Sequence, residues 1–181
     1  MTELNERIAE ERRRLREVRQ TLTAATKQKA NGDSAFVPFY IAIGDYFEAT
    51  MKRLHRQDVR MGDMLRDKAD MDDADNLKAM AELGERLKGN QEHLEKLLEA
   101  RDALKSNGEA ALEQFEQAGS DYSDFIINNM GHHPGSTNLA GKLFTPEDWA
   151  YMADVSPEDQ AREEQLFGRV FAGLPAALAQ T

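Results

Sequence analysis

The sequence predicts an all-α fold, an antiparallel four-helix bundle followed by a short helical C-terminal appendix. Three observations predict it. Apolar residues recur at helical rather than strand spacing along almost the whole chain. Charged residues make up 31% of the 181 positions and fill the faces between the apolar stripes. The long periodic stretches are separated by brief clusters of Gly, Asn, Asp and Ser, and short connections between long helices make neighbours antiparallel. The bundle is expected over residues 1–130. The appendix, a loop and short helices over 131–181, is expected to pack on it within the same domain.

The first helix is expected from about Thr2 to Ala30. Met1, Leu4, Ile8, Leu15, Val18, Leu22 and Ala25 form a coiled-coil-like seam whose one polar position is Glu11. Asn31-Gly32-Asp33-Ser34 then stops that helix and caps the next, and Pro38 falls near the first turn, where a missing N–H does least harm. The second helix runs to about Lys68, with Val37, Tyr40, Phe47, Met51, Leu54, Met61 and Leu65 on one stripe interrupted by Asp58. Asp70 to Asn76 is an acidic turn. It lacks the central glycine and final glutamate of a calcium loop, so Asp72 or Asp73 is expected to cap the third helix.

That helix carries Leu77, Met80, Leu83, Leu87, Leu94, Leu97, Arg101 and Leu104, with Asn90 interrupting, and ends at Ser106-Asn107-Gly108. The fourth is expected from about Glu109 to Met130, with Leu112, Phe115, Tyr122, Phe125 and Ile126. An irregular loop, Gly131-His132-His133-Pro134-Gly135, follows. Thr145-Pro146-Glu147-Asp148 and Ser156-Pro157-Glu158-Asp159 each place a hydroxyl cap, a proline and acids at a helix start, so two short helices are expected there.

Composition narrows the function classes. With no cysteine, disulfides, thiolate metal sites and cysteine nucleophiles are excluded; the absence fits a reducing, cytoplasmic setting. A net charge of −10 argues against general nucleic-acid binding, which needs clustered Lys and Arg. No apolar run approaches the ~20 residues of a membrane-spanning helix, and the charged N-terminus has no signal-like core. The basic cluster Arg12, Arg13, Arg14, Arg16 and Arg19 reads as a solvated face with i,i+4 acidic partners, or else as a dock for an acidic partner. No nucleophile elbow or phosphate loop is present, so no catalytic residue is assigned.

Five polar residues interrupt or flank the apolar stripes. If the turns centre near residues 33 and 70–71, Glu11 lies level with His55, and Glu48 with His93. Glu48, His55 and Asp58 share one side of the second helix. Glu11, Glu48, His55, Asp58 and His93 thus form a candidate strip for iron, manganese or zinc, because carboxylates and imidazoles between facing helices are how bundles hold such ions. The alternative is that Glu11 and Asp58 pair with Arg or His across the bundle, and that His93 is half-exposed. His132 and His133 are candidates for a ligand loop at the bundle end, or for solvated cations at a helix C-terminus. Phe144 and Trp149, with Tyr151 and Met152, either pack the appendix or present an aromatic patch to a partner.

Such a bundle, with scattered histidines and carboxylates in Arg53-Leu54-His55-Arg56-Gln57-Asp58 and Gly131-His132-His133-Pro134, resembles the hemerythrin-like (HHE) proteins over about residues 1–135, in architecture. The resemblance implies a metal-binding bundle, since those proteins hold a di-iron centre with His-x-x-x-Glu and His-x-x-x-His pairs. Here Val59 stands four residues after His55, and Leu97 four after His93. The resemblance therefore implies a reduced, carboxylate-rich site or a bundle that has lost its metal.

Three functional expectations follow. The first is a metal-binding sensor, store or oxygen-reactive protein using the strip above. The second is a non-enzymatic interaction protein or homodimer using the seam of the first helix or the aromatic appendix. The third is ligand binding in a cavity lined by Tyr40, Phe47, Met51, Met61 and Met80, residues whose spacing equally describes core.

Overall fold

The computed structural model describes residues 2–130 and 134–179, and every regular element among them is helical. Three long helices come first: α1 (Glu3–Gln28), α2 (Phe36–Lys68) and α3 (Ala74–Asn107). A 3₁₀ turn at Gly108–Ala111 leads into α4 (Leu112–Phe125), which loosens into a π turn at Ile126–Met130. Then follow α5 (Gly135–Leu143), α6 (Pro146–Met152), α7 (Pro157–Ala172) and α8 (Ala176–Ala179). No helix among the described residues is long and apolar enough to cross a membrane.

Local chemistry sets most of the boundaries. Thr2 caps α1, and Asp73 caps α3 by accepting from the Asp75 and Asn76 N–H groups. Thr145 and Asp148 form a reciprocal capping box on α6, and Ser156 caps α7. Between α1 and α2 the chain reverses through Lys29, Asn31 and Gly32, all at positive φ, where only Gly32 is free of steric cost. The Asp33 carboxylate then accepts from the Ala35 N–H.

The helices pack around two apolar clusters. The larger joins Val18 and Leu22 of α1, Tyr40, Ile43 and Phe47 of α2, Leu97 and Leu104 of α3, Phe115 and Tyr122 of α4, and Val170 of α7. Tyr40 stacks on Phe115 at 4.8 Å, an offset pairing favoured by the ring quadrupoles. The smaller cluster lies near the α2–α3 turn and joins Met61, Leu65, Met80 and Leu83 to Ala140 and Phe144. Tyr40, Phe47 and Met51 are fully buried in the first cluster, while Met61 and Met80 belong to the second. Together they are packed core.

α2 and α3 run side by side in opposite directions, with Glu48 against Arg101, Asp58 against Arg86, and Gly62 against Leu83. Gly44 permits the close approach, because a Cβ there would sit 2.8 Å from the Arg101 side chain. α4 lies on α3 and α1 but is short. Its end, Phe125, packs over Gly89 in the middle of α3. α5 takes over along α3, with Gly135 close against Ala79. α1 touches α2 sparsely, and α7 lies along α2 instead, with Glu163 on Arg53 and Phe167 beside Tyr46. The C-terminal segment therefore completes the helical packing rather than decorating it.

Candidate functional site

Where α1 and α2 stand apart at their N- and C-terminal halves respectively, a cavity of about 180 Å³ remains. Ile8, Glu11, Arg12 and Leu15 line it from α1. Thr50, Arg53, Leu54, Gln57, Asp58 and Met61 line it from α2, at the three- and four-residue steps of one helix face. α6 forms its roof through Trp149 and Met152, with Ala153 just beyond.

The roof is held by polar side chains. No residue within α6 is itself buried. Its C-terminal carbonyls, which a helix cannot satisfy internally, instead accept from below. Arg7 donates to the Ala153 carbonyl, Gln57 Nε2 to the Asp154 carbonyl at 3.3 Å, and Arg60 Nη1 to the Tyr151 carbonyl at 2.7 Å. At the other end, Lys68 pairs with Asp148 at 3.0 Å; the Thr145 backbone N–H first, and Lys68 after it, hold that carboxyl below its ordinary range.

Arg53 is the centre of the site's electrostatics. Only 3% exposed, it is bound in two-pronged fashion by Glu163 of α7, with Nη2 at 3.0 Å from Oε2. The same Nη2 lies 3.4 Å from Glu11 Oε2, tying α1 to α2 and α7. Three polar atoms on residues that line the cavity are left over. Arg53 Nη1, Glu11 Oε1 and Thr50 Oγ1 are buried and make no hydrogen bond among the described residues. Glu11 Oε1 has only the oblique company of Arg7 Nε at 3.5 Å. Thr50 feels the Tyr46 phenol, whose pKa burial pushes up to about 12, without a well-formed bond to it.

Asp58 adds a fourth polar group. Burial raises its pKa, against the opposing pull of Arg86, 3.6 Å away, and of His55.

The cavity brings together three residues singled out by sequence, Glu11, Asp58 and Trp149. Phe144 sits just behind, edge-on to Trp149 at 5.2 Å in the smaller apolar cluster. The remaining candidates lie elsewhere. Glu48 faces α3; Lys52 of its own helix and Arg101 of α3 hydrogen-bond its carboxylate and bring its pKa down to about 2. His55 lines an outer groove between α2 and α3, its Nδ1 buried and unpartnered. His93 is fixed by its own helix: Nδ1–H donates to the Gly89 carbonyl at 2.8 Å, and the ring stacks on Phe125 at 4.6 Å. His132 and His133 lie outside the described residues. Tyr151, the exposed member of the aromatic group, rests under Arg60 as a cation–π pair at 5.1 Å.

Compared with known proteins, the chain matches no family model, no curated relative and no solved structure. Its chemistry rests on its own geometry. Each expected carboxylate leans on a guanidinium: Glu11 on Arg53, Glu48 on Arg101, Asp58 on Arg86. Among the described residues no group of three or more His, Asp and Glu is arranged around a metal position. The cavity instead offers donors and acceptors among apolar side chains, which is the make-up of a small-molecule pocket. Sequence reasoning missed Arg53, Glu163 and Thr50. Arg53 and Thr50 fall on the polar side of the α2 stripe, and Glu163 meets Arg53 across 110 residues of chain, a pairing with no local signal.

Proposed function

We propose that this chain is a non-catalytic binding protein for a small, neutral, amphipathic molecule seated in the cavity under α6. The observation that carries this reading is that Arg53 Nη1 and Glu11 Oε1, on two residues lining one cavity, are buried without a hydrogen bond. Leaving buried polar atoms unpaired costs about 1–3 kcal/mol each, so a ligand that pairs them recovers that cost on binding. An antiparallel arrangement of α1–α4, with the site at a helix–helix seam, and a cytoplasmic setting belong to the same proposal.

The charges select the ligand class. Arg53 is already neutralised by Glu163 and Glu11, so an anion would meet Glu11 and Asp58, and a cation would meet Arg53 and Arg12. A hydroxyl or carboxamide head accepts from Arg53 Nη1 and donates to Glu11 Oε1 without introducing charge. Its body lies against Leu54, Met61, Met152 and Trp149. A volume of about 180 Å³ suits a single ring, since a cavity of roughly 150 Å³ admits benzene.

Trp149 is the only tryptophan in the chain, so its fluorescence reports on the cavity directly. Benzyl alcohol and benzamide are expected to give saturable changes that Ala153→Leu abolishes by filling the space. Benzoate and benzylamine are expected to bind about tenfold or more weakly, a difference of at least ~1.4 kcal/mol. Absence of a saturable response to both neutral probes, in protein folded by circular dichroism, would overturn the proposal.

Metal binding is the second reading, favoured by His55 Nδ1, buried without a partner, and by Glu11 and Asp58 sharing one cavity. The hemerythrin-like resemblance belongs with it. Elemental analysis of chelator-free protein tests it. Stoichiometric iron, manganese or zinc that is lost in His55→Ala supports this reading, and metal-free protein after reconstitution contradicts it.

A further inference from the structure

Along the outer face of the α2–α3 pair runs a groove lined by side chains of these two helices alone. Its floor is apolar, with Leu94 and Leu98 of α3 beside His55 of α2. Val59, one turn beyond His55 on the same α2 face, is 40% exposed and extends the apolar strip. The rims differ in sign. α2 contributes Lys52 and Arg56, while α3 contributes Glu95, Glu99 and Asp102.

The two rims do not neutralise one another within the chain. Lys52 turns along its own helix to Glu48, and Asp102 pairs with Arg101. Arg56, Glu95 and Glu99 make no ion pair among the described residues. Glu95 only accepts from Gln91 at 3.1 Å. A basic row and an acidic row flanking one apolar groove, each with charge to spare, match a surface bearing the same two rows in reverse order. A second copy of this chain provides that surface. A two-fold axis running along the helices sets each α2 against the other copy's α3, so Lys52 and Arg56 face the acidic rim twice over and the leucines meet between them. The alternative two-fold, across the helices, sets like charges together and is disfavoured.

We infer that the chain forms a two-fold homodimer through the outer α2–α3 face, sealed by Lys52 and Arg56 against the acidic rim of the second copy. This stands independently of the cavity under α6, which lies on the α1 side of α2.

Light scattering coupled to gel filtration tests it on the full chain. At tens of micromolar and low salt, the wild type is expected at twice the 20.4 kDa chain mass, with dissociation favoured as salt screens the rims. The double variant Lys52→Glu/Arg56→Glu and the double variant Glu95→Lys/Glu99→Lys are each expected to raise the dimer Kd by about 100-fold or more, because each confronts like charges. Mixing the two variants restores opposite signs at both contacts, and the mixture is expected to dimerise. That recovery cannot come from misfolded protein. A monomeric wild type would overturn the inference, whether the groove then serves another protein or none. So would a dimer that both variants leave intact, or variants that stay monomeric when mixed.

Discussion

The larger apolar cluster and the cavity under α6 both bury polar side chains, but they treat them in opposite ways. In the core, Glu116, Asn90 and Thr23 each close on another polar group. Glu116 accepts from the Ala30 N–H at 2.6 Å and from the Tyr40 hydroxyl at 2.9 Å, securing the turn after α1 to α4 and α2. Asn90 accepts from the Tyr122 hydroxyl at 2.6 Å, and Thr23 meets Ser123 at the same distance. Burial pushes the Tyr40 and Tyr122 phenols far up, so both remain donors throughout the physiological range. Around the cavity, by contrast, Arg53, Glu11 and Thr50 each retain a buried atom without a well-formed hydrogen bond. Core polar groups that are satisfied specify register between helices. Those left open beside empty volume describe a place prepared for something else.

The comparison breaks most visibly at Glu116. Replacing it with Ala strands the Ala30 N–H and the Tyr40 hydroxyl in the core, and a loss of about 3 kcal/mol is expected in urea denaturation. A midpoint close to wild type would mean that the core network is not what holds the α1–α2 turn.

Deleting a hydroxyl on each side gives a sharper contrast. Tyr122→Phe leaves Asn90 Oδ1 unpaired and is expected to cost about 1.5 kcal/mol. Thr50→Val removes an atom that has no good partner, so a change within about 0.5 kcal/mol of zero is expected. Equal costs for the two would erase the distinction between core and cavity.

The smallest effects are in pH dependence, and they have opposite signs. Asp58 has a folded pKa above its ordinary value. Its contribution to stability is present below the ordinary carboxylate range and is lost as pH rises through the raised value. Asp58→Asn should therefore stabilise at neutral pH and change little in acid. Glu48, held down at about 2, contributes above the ordinary Glu range and loses that contribution as pH falls toward 2. With about a third of its side chain exposed, its share is expected to stay under ~1 kcal/mol. Stability measured between about pH 2 and 8 for both variants, including Glu48→Gln, checks the signs. Parallel curves would contradict them.

What was legible in the sequence is what is decided locally. The caps at Asp73, Thr145 and Ser156 act over two or three residues, so their chemistry is visible in the residue order. α5 was not. GSTNLAGKL is rich in poor helix formers and has no side-chain cap, and it is helical because Ser136 and Ala140 bury and Gly135 fits against Ala79. Register was half legible. Glu11, expected level with His55, meets Arg53 half a turn away. Glu48, expected level with His93, meets Arg101, because the α2–α3 pair is displaced by about one turn and the arginine side chain reaches a further turn. That Glu11, Asp58 and Trp149 share a cavity depends on α6 folding back over α1 and α2, which no periodicity encodes.

The central claim is that the cavity under α6 is a ligand site, and a crystal structure of the protein grown with benzyl alcohol tests it most directly. The account predicts a ring between Trp149 and Met61, with its hydroxyl within hydrogen-bond distance of Arg53 Nη1 and Glu11 Oε1. A cavity holding only water, with those two atoms bridged by it and the alcohol absent at saturating concentration, would contradict the account.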